Sequence, residues 1–465
     1  MIQMDHQQLS ELFTQDDATP AFSFTGISID SRNINQGNLF VAIRGDHFDG
    51  HEYAAHVHEK GAVAVIVERS VETELPQILV PDTREALGVL ANYWRNKINS
   101  KVVSITGSNG KTTVKEMLGR ILKSQGETLI TKGNFNNDIG VPLTLFNLNE
   151  SHQYAVIEMG ANHLHEIEYL MSIAQPDIVY VNNAQAAHVE GFGSQRGVIK
   201  AKGEMYQFCE ENAQAIFNND EPAVDYWKSI VRAQQTLSFS MRDANADIKG
   251  DAELSHEGIA LKVQYREESQ EFRINVHGAH NAQNALAAIS LALGCGITLK
   301  HACLALEGFD GVDGRQQFVN GTNNSRLIDD SYNANPASLV AAIDVLCALK
   351  GKHWLALGDM AELGEESQAM HIESVNYAYQ HGVEQFFALG QKSCQSATVF
   401  GEQGFCFSRH DEMARFIAAR LAPDVNLLVK GSRSAGMDKL VKTLSHGPQL
   451  NQPASSHTAG ENHAL

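Results

Sequence analysis

The run Thr106-Gly-Ser-Asn-Gly-Lys-Thr112 combines the residue types needed to hold a polyphosphate. It follows an apolar stretch ending at Ile105 and precedes a helical pattern beginning near Lys111. A strand, turn and helix in that order aim successive backbone N–H groups, and the positive end of the helix, at one point. Gly107 and Gly110 let the backbone approach an anion closely, Lys111 can reach terminal phosphates, and the Thr112 hydroxyl can ligate Mg²⁺. Ile105 stands where the standard phosphate loop has its first glycine. An ordinary glycine-rich turn is the competing reading, and the lysine and threonine weigh against it. Such a site needs carboxylates for its metal. Glu158 closes the apolar run Tyr-Ala-Val-Ile-Glu, at the sheet edge where ligands of parallel sheets collect, although a solvated strand-end glutamate has the same pattern. His188, in Asn182-Asn-Ala-Gln-Ala-Ala-His, lies beyond the same edge and can offer an imidazole nitrogen to a metal or serve as a loop histidine. By spacing alone, Lys202 is a helix-surface lysine.

Polar residues also concentrate at Gly133-Asn-Phe-Asn-Asn-Asp-Ile-Gly-Val-Pro142, His280-Asn-Ala-Gln-Asn284, Asp329-Asp-Ser-Tyr-Asn-Ala-Asn-Pro336 and Lys430-Gly-Ser-Arg433. Turn and cap chemistry accounts for each singly. All four fall at strand ends or helix starts, which strains that account.

The elements that must position these groups follow from apolar patterning. Residues 1–81 read as short strands (24–29, 38–43, 62–67, 78–80) around a helix-like stretch, 52–59, forming a small α/β unit. Asp82 is a suitable N-cap for a helix over 83–98, whose apolar residues Leu87, Leu90, Ala91 and Trp94 recur at helical spacing. A buried strand from Lys101 leads into the phosphate turn and a helix over 112–125. Strands at 154–158, 178–181 and 215–218 then alternate with helices, as in a parallel sheet. Alternating strands over 236–276 predict a β-rich edge to the same domain. A third α/β unit starts near Gly314, with strands at 326–329, 353–357, 385–388 and 426–429. The expected class is therefore α/β in three domains, 1–81, 82–313 and 314–445, with a disordered tail over 446–465.

Composition bounds the rest. The chain has 465 residues, 43% of them hydrophobic and 20% charged, with only 10 prolines, which excludes a disordered or fibrous chain. A formal charge of −19 disfavours nucleic acid and anionic membrane surfaces as partners. The six cysteines (209, 295, 303, 347, 394 and 406) show no CxxC spacing and fit a reducing cytoplasm. The start lacks a cationic and apolar leader, and no run reaches the roughly 18 apolar residues of a membrane span, so a cytoplasmic location is expected.

Taken together, the motifs resemble the Mur ligases, the ATP-dependent amide-forming enzymes of bacterial peptidoglycan synthesis. The resemblance runs from Ser28-Ile-Asp-Ser-Arg32 to Lys430-Gly-Ser-Arg433. It is most specific at 133–142, 329–336 and Gly358-Asp-Met-Ala-Glu-Leu-Gly364. Those segments match the branch that adds D-alanyl-D-alanine to UDP-N-acetylmuramoyl-tripeptide. The family's phosphate loop, T-G-x-N-G-K-T, accounts for the missing first glycine. The resemblance implies a UDP-binding N-terminal domain, a central ATPase domain and a Rossmann-like C-terminal domain. It assigns Gly107, Ser108, Asn109, Gly110, Lys111, Thr112 and Thr113 to the ATP phosphates, with Lys111 on the γ-phosphate. Thr112 and Glu158 would meet a first Mg²⁺ and His188 a second. Lys202 matches a lysine carried as a carbamate, a change from cation to carboxylate-like anion that lets a lysine join a metal site. Asn281 and Asn284 would lie against the adenine, while Arg315, Asp330, Tyr332 and Asn333 would close over the nucleotide. Ser31, Arg32, Asp46, His47 and Phe48 match the UDP end of the substrate site, and Asn136 and Asn137 would face the muramoyl-peptide. Lys430 and Arg433 could hold an incoming carboxylate, or serve helix N-terminal packing.

The implied reaction passes through an acyl phosphate, with ATP and two Mg²⁺ ions as cofactors, closure of the C-terminal unit over the site, and a monomer as the expected state. A folylpolyglutamate synthetase-like ligase lacks the N-terminal domain that Asp-Ser-Arg marks. A sister ligase adding meso-diaminopimelate or lysine would carry a D-N-P-R type signature, which is not visible here. A P-loop switch without ligase activity has no reason for a sugar-nucleotide domain.

Overall fold

The computed structural model describes residues 1–13, 20–45, 48–185, 189–255 and 257–446. They divide into two compact units, Met1–Asp310 and Gly311 onward.

In the first unit a four-stranded parallel sheet runs in the order Ile27–Ser28, Leu39–Val41, Ala64–Val67, Gln77–Leu79. The single strand expected over 24–29 is two, Ser23–Thr25 and Ile27–Ser28, interrupted at Gly26, whose φ of +81° belongs to the left-handed region that glycine tolerates. The helix expected over 52–59 is two short 3-10 turns, Gly50–Tyr53 and His58–Lys60. There the buried His51 ring is committed to the Asp49 carboxylate and to the Glu68 N–H. Helix Thr83–Lys97 starts where expected, with the Asp82 side chain accepting from the N–H groups of Arg84 and Glu85. Its apolar face joins one continuous buried cluster, from Ile2, Val41 and Ile66 through Leu87 and Leu90 to Ile157. The small sheet and the sheet that includes Tyr154–Glu158 thus share a core. Thr83 reinforces the join by donating to the Ala42 carbonyl.

The main sheet has nine strands, ordered Thr128–Ile130, Tyr154–Glu158, Lys101–Thr106, Ile178–Val181, Gln214–Asn218, Gln235–Ser240, Ile248–Ser255, Gly258–Tyr265 and Glu268–Ile274. The first seven are parallel and the last two pairings antiparallel, which gives the expected β-rich edge. Strand Lys101–Thr106 is flanked on both sides, so everything after Lys101 is buried, as the unbroken apolar run requires. Chain order reverses about this strand. Its C-terminal end, with those of Tyr154–Glu158 and Ile178–Val181, makes the crevice where open α/β sheets take ligands.

In the second unit a six-stranded sheet runs Gln317–Asn320, Arg326–Asp330, Val425–Lys430, Lys352–Gly358, Gln385–Leu389, Gly404–Phe407, antiparallel only at the first pairing. The parallel register sets Asp330 beside Lys430. Residues 447–465, read from sequence as a tail, lie outside the described residues. Among the described residues no helix is long and apolar enough to cross a membrane, and no disulfide joins the six cysteines.

Candidate functional site

The phosphate turn is built against the end of strand Ile178–Val181. The Ser108 N–H donates to the Asn183 carbonyl at 3.0 Å, and the Asn109 N–H to Asn183 Oδ1 at 2.8 Å. Asn182 Nδ2 donates to the Asn109 carbonyl at 2.7 Å and to Asn284 Oδ1 at 3.2 Å. The chain continues inward from Asn284 Nδ2 to Asn281 Oδ1 at 3.1 Å, and from Asn281 Nδ2 to the His277 carbonyl at 2.8 Å. Asn281 and Asn284, each 5% exposed, therefore enter the site as the scaffold behind the turn. The two glycines are required by this packing. A Cβ on Gly110, whose φ is +76°, would stand 2.5 Å from Asn182 Nδ2 and 2.7 Å from Asn284 Oδ1. One on Gly107 would stand 3.0 Å from Asn182 Cβ.

Helix Lys111–Lys123 begins directly at Gly110, so its first N–H groups, the Lys111 ammonium and the Thr112 hydroxyl start from one place. Lys111 Nζ lies over the turn, donating to the carbonyls of Gly107 at 2.6 Å and Ser108 at 3.3 Å. Thr112 Oγ1 donates to Glu158 Oε2 at 2.9 Å, and Asn136 Nδ2 to Glu158 Oε1 at 2.8 Å. Thr106 Oγ1 closes the strand ends by donating to the Met159 carbonyl at 2.7 Å. Glu158 is 2% exposed, so the solvated strand-end alternative fails. Its carboxylate and the Thr112 hydroxyl form a pair of hard oxygens suited to Mg²⁺. Gly160 permits the approach of Asn136, because a Cβ there would meet its amide at 2.9 Å. Asn137 does something different: its Oδ1 accepts from the Gly140 N–H at 2.9 Å, shaping the entry to helix Gly140–Leu145.

Lys202 is a correction to the helix-surface reading. Helix Gln195–Gln207 packs against helix Glu166–Ala174 and strand Ile178–Val181, leaving Lys202 only 2% exposed. Its ammonium donates to the Ala161 carbonyl at 3.2 Å and stands 5.4 Å from the centre of the Phe192 ring. Burial, with the Lys111 charge adding, pushes its pKa down to about 7. Two residues on, Glu204 accepts from the N–H groups of His165 and Glu168, and burial raises its pKa. Helix Gln195–Gln207 thereby grips the segment that follows Glu158. His188, with Asp46 and His47, lies outside the described residues. Among the described residues no group of three or more His, Cys, Asp or Glu side chains gathers as a metal site.

At the N-terminal end, Arg32 reaches from the surface to make two 2.9 Å hydrogen bonds to the Asp30 carboxylate, which holds that acid down at about 2. The Ser31 carbonyl accepts from Lys60 Nζ at 2.8 Å. Phe48 is 55% exposed. Arg84, on the helix that joins the two sheets, pairs with Asp138 at 2.9 Å and donates to the Arg44 carbonyl at 3.2 Å. It thus links the 134–140 loop to the hairpin strand carrying Arg44.

Within the second unit, Lys430 Nζ lies 2.5 Å from Asp330 Oδ2 and 2.9 Å from the Asn333 carbonyl, and the residue is 2% exposed. Its charge is answered inside the unit, so of the two cations read as candidates for an incoming carboxylate only Arg433 is exposed. The Arg433 guanidinium stands 5.4 Å from the centre of the Tyr332 ring, and that of Arg315 4.2 Å. The 358–364 segment is held by two devices. The Met360 N–H donates to the buried His371 Nε2 at 2.9 Å, and the Asp359 carboxylate accepts from the N–H groups of Lys392 and Ser393.

Asn182, Asn183, Lys115 and Thr131 also belong to the site, although no sequence motif above assigns them a role. The available signals were a double asparagine at a strand end facing the phosphate turn, and a lysine three residues after Thr112 on the same helix face.

Family profiles described as Mur ligase family, catalytic domain, as Mur ligase middle domain and as Mur ligase, glutamate ligase domain match residues 23–95, 105–292 and 314–433. The UDP-N-acetylmuramoyl-tripeptide–D-alanyl-D-alanine ligase of Escherichia coli (strain K12) is 39% identical over 447 residues, covering 96% of this chain and 99% of its own. That of Bacillus subtilis (strain 168) is 31% identical over 461 residues, covering 96% and 100%. The crystal structure of MurF from Acinetobacter baumannii superposes with a TM-score of 0.87 at 34% identity, over 95% of this chain and 98% of that one. MurF from Thermotoga maritima, solved in complex with ADP, gives 0.80 at 25% identity over 91% and 97%. Relatives so alike from end to end, in sequence and in fold, establish that the chain belongs to the Mur ligase family.

Proposed function

We propose that this chain joins D-alanyl-D-alanine to UDP-N-acetylmuramoyl-tripeptide at the expense of ATP, giving UDP-N-acetylmuramoyl-pentapeptide, ADP and phosphate for cytoplasmic peptidoglycan precursor synthesis. The observation that carries this reading is the phosphate turn braced by Asn182 and Asn183, with Lys111, Thr112 and Glu158 converging beside it. The likeness to UDP-N-acetylmuramoyl-tripeptide–D-alanyl-D-alanine ligases, over 96% of this chain for that of Escherichia coli, supports the choice of substrates.

The terminal carboxylate of the tripeptide attacks the γ-phosphorus of ATP, the bond to the β-phosphate oxygen breaks, and an acyl phosphate forms with ADP leaving. The amine of D-alanyl-D-alanine adds to the acyl carbon, and the tetrahedral intermediate expels phosphate and loses the amine proton. The barrier is electrostatic, because a carboxylate must approach a highly charged nucleotide. Lys111 turns from its carbonyls to the γ-phosphate, and the first N–H groups of helix Lys111–Lys123 hold the phosphates. Thr112 and Glu158 would hold Mg²⁺, which supplies further charge neutralisation when bound. Lys202, buried with a depressed pKa, presents an amine able to take up CO₂ as a carbamate and become the extra anion of a metal site. Ser31, Arg32 and Phe48 are our candidates for the UDP end, and Asn136 orients Glu158 toward the peptide side. In the second unit Arg315, Asp330, Tyr332 and Asn333 are candidates for the nucleotide and Arg433 for the acceptor, with Lys430 holding Asp330. The chain is taken to act as a monomer.

Phosphate release tests the proposal. It should require ATP, UDP-tripeptide and D-alanyl-D-alanine together. Release without the dipeptide, or equal release with single amino acids, overturns the assignment.

A further inference from the structure

One fully buried charge plays no part in the mechanism above. Lys115 is 0% exposed, three residues after Thr112 on helix Lys111–Lys123, which puts both on one helix face. Its Nζ donates to the Thr131 carbonyl at 2.8 Å and stands 3.1 Å from Glu116 Oε1 and 3.8 Å from Glu158 Oε2. Thr131 completes the connection, its Oγ1 accepting the Glu158 N–H at 3.0 Å. Glu158 is therefore held at both ends, by Thr131 at its backbone and by Thr112 and Asn136 at its carboxylate, with the Lys115 charge 3.8 Å away.

Lysine is almost never fully buried unless paired, and an apolar side chain of similar volume usually serves stability as well or better. The position of the charge indicates what it does. At 3.8 Å the ammonium is too far to hydrogen-bond Glu158 Oε2, so it steadies the carboxylate without occupying a lone pair that a metal would need. Its close partners are the Thr131 carbonyl at 2.8 Å and the Glu116 carboxylate at 3.1 Å.

We infer that Lys115 is a positioning residue, which fixes the Glu158 carboxylate beside the Thr112 hydroxyl in the orientation that takes up the divalent cation accompanying the nucleotide. This deepens the proposed function and rests on its assignment of Glu158 to that cation. Lys115 itself touches neither nucleotide nor peptide. Partners of this kind typically change metal affinity or activity by about 10–100-fold when removed.

The test measures Mn²⁺ binding to the ADP-saturated protein by electron paramagnetic resonance, beside ligation kinetics. In Lys115→Met, Mn²⁺ affinity should fall by about 10–100-fold, with metal-free ADP affinity and the KM for D-alanyl-D-alanine unchanged. Lys115→Arg, which keeps the charge, should recover part of the loss. Lys115→Gln, still able to donate to Thr131, should fall as the methionine variant does and replaces it if that variant does not fold. Wild-type Mn²⁺ affinity in Lys115→Met, an arginine variant no better than methionine, or failure of both neutral variants to melt cooperatively overturns the positioning role alone. Absence of Mn²⁺ binding by the wild-type ADP complex removes the metal assignment of Glu158, and this inference with it.

Discussion

Two lysines lie at the C-terminal side of a central strand, Lys430 as the last residue of Val425–Lys430 and Lys111 across the turn that follows Lys101–Thr106, and their surroundings differ. Lys111 rests on the carbonyls of Gly107 and Ser108, dipoles it can leave for a phosphate at small cost. Lys430 is locked against Asp330, buried, at 2.5 Å, and leaving that carboxylate would strand a buried charge. Both follow apolar strands and both precede or sit beside a glycine, so sequence pattern treats them alike. Their partners separate a cation held ready for a ligand from one committed to the structure of its own unit.

The sharpest way to break this contrast is to remove each charge. Lys111→Ala should cost about 10²–10³ in turnover, the usual loss for one well-placed donor, with no change in melting temperature; phosphate release and thermal unfolding together check this. Lys430→Met should do the reverse in kind. By leaving Asp330 buried and unpaired it should destabilise the second unit by about 3–5 kcal/mol, and Lys430→Met with Asp330→Leu should recover most of that. Urea unfolding of both variants decides it. Equal catalytic losses without destabilisation would erase the distinction.

A third lysine adds a pH dependence. Lys202 has a pKa of about 7 against its ordinary 10.5. Between those values the unfolded chain binds more protons at this position than the folded one, so stability rises with pH across that window. In bicarbonate-free buffer, the melting-temperature advantage of Lys202→Met should therefore shrink from pH 7 toward pH 10. The neutral amine is the form that takes up CO₂, so stimulation of ligation by bicarbonate should grow as pH rises through 7. Stimulation that is flat with pH would remove the carbamate reading.

Asn182→Ala should leave the Asn109 carbonyl and Asn284 Oδ1 without this donor, costing about 1–3 kcal/mol and raising the KM for ATP more than it lowers kcat. Smallest of all is Arg32→Ala. This exposed side chain should leave the melting temperature unchanged while raising the KM for the UDP-tripeptide.

Much of the fold was legible because buried parallel strands are written as continuous apolar runs. Tyr154–Glu158 and Ile178–Val181 have the ends the sequence indicated. The phosphate turn was legible for a related reason, since its strand, glycines, lysine and threonine are local. What escaped was non-local. Lys202 read as a surface residue because one helix's spacing does not reveal a neighbour covering its other side. Lys115 acquires meaning only from Thr131 and Glu158, which the sheet order brings to it. Asn182 and Asn183 had no role of their own in the sequence, and gain one where the parallel register places them against Asn109. The Lys430–Asp330 pair arises from two strands a hundred residues apart.

The proposed function has ATP activating the tripeptide's carboxylate. It is tested most directly by supplying UDP-tripeptide with ¹⁸O in its terminal carboxyl group, together with ATP and D-alanyl-D-alanine, and weighing the released phosphate. The account predicts one ¹⁸O transferred per phosphate in the wild-type protein and a rate sharply reduced in Lys111→Ala. Phosphate carrying no ¹⁸O while pentapeptide accumulates would contradict it.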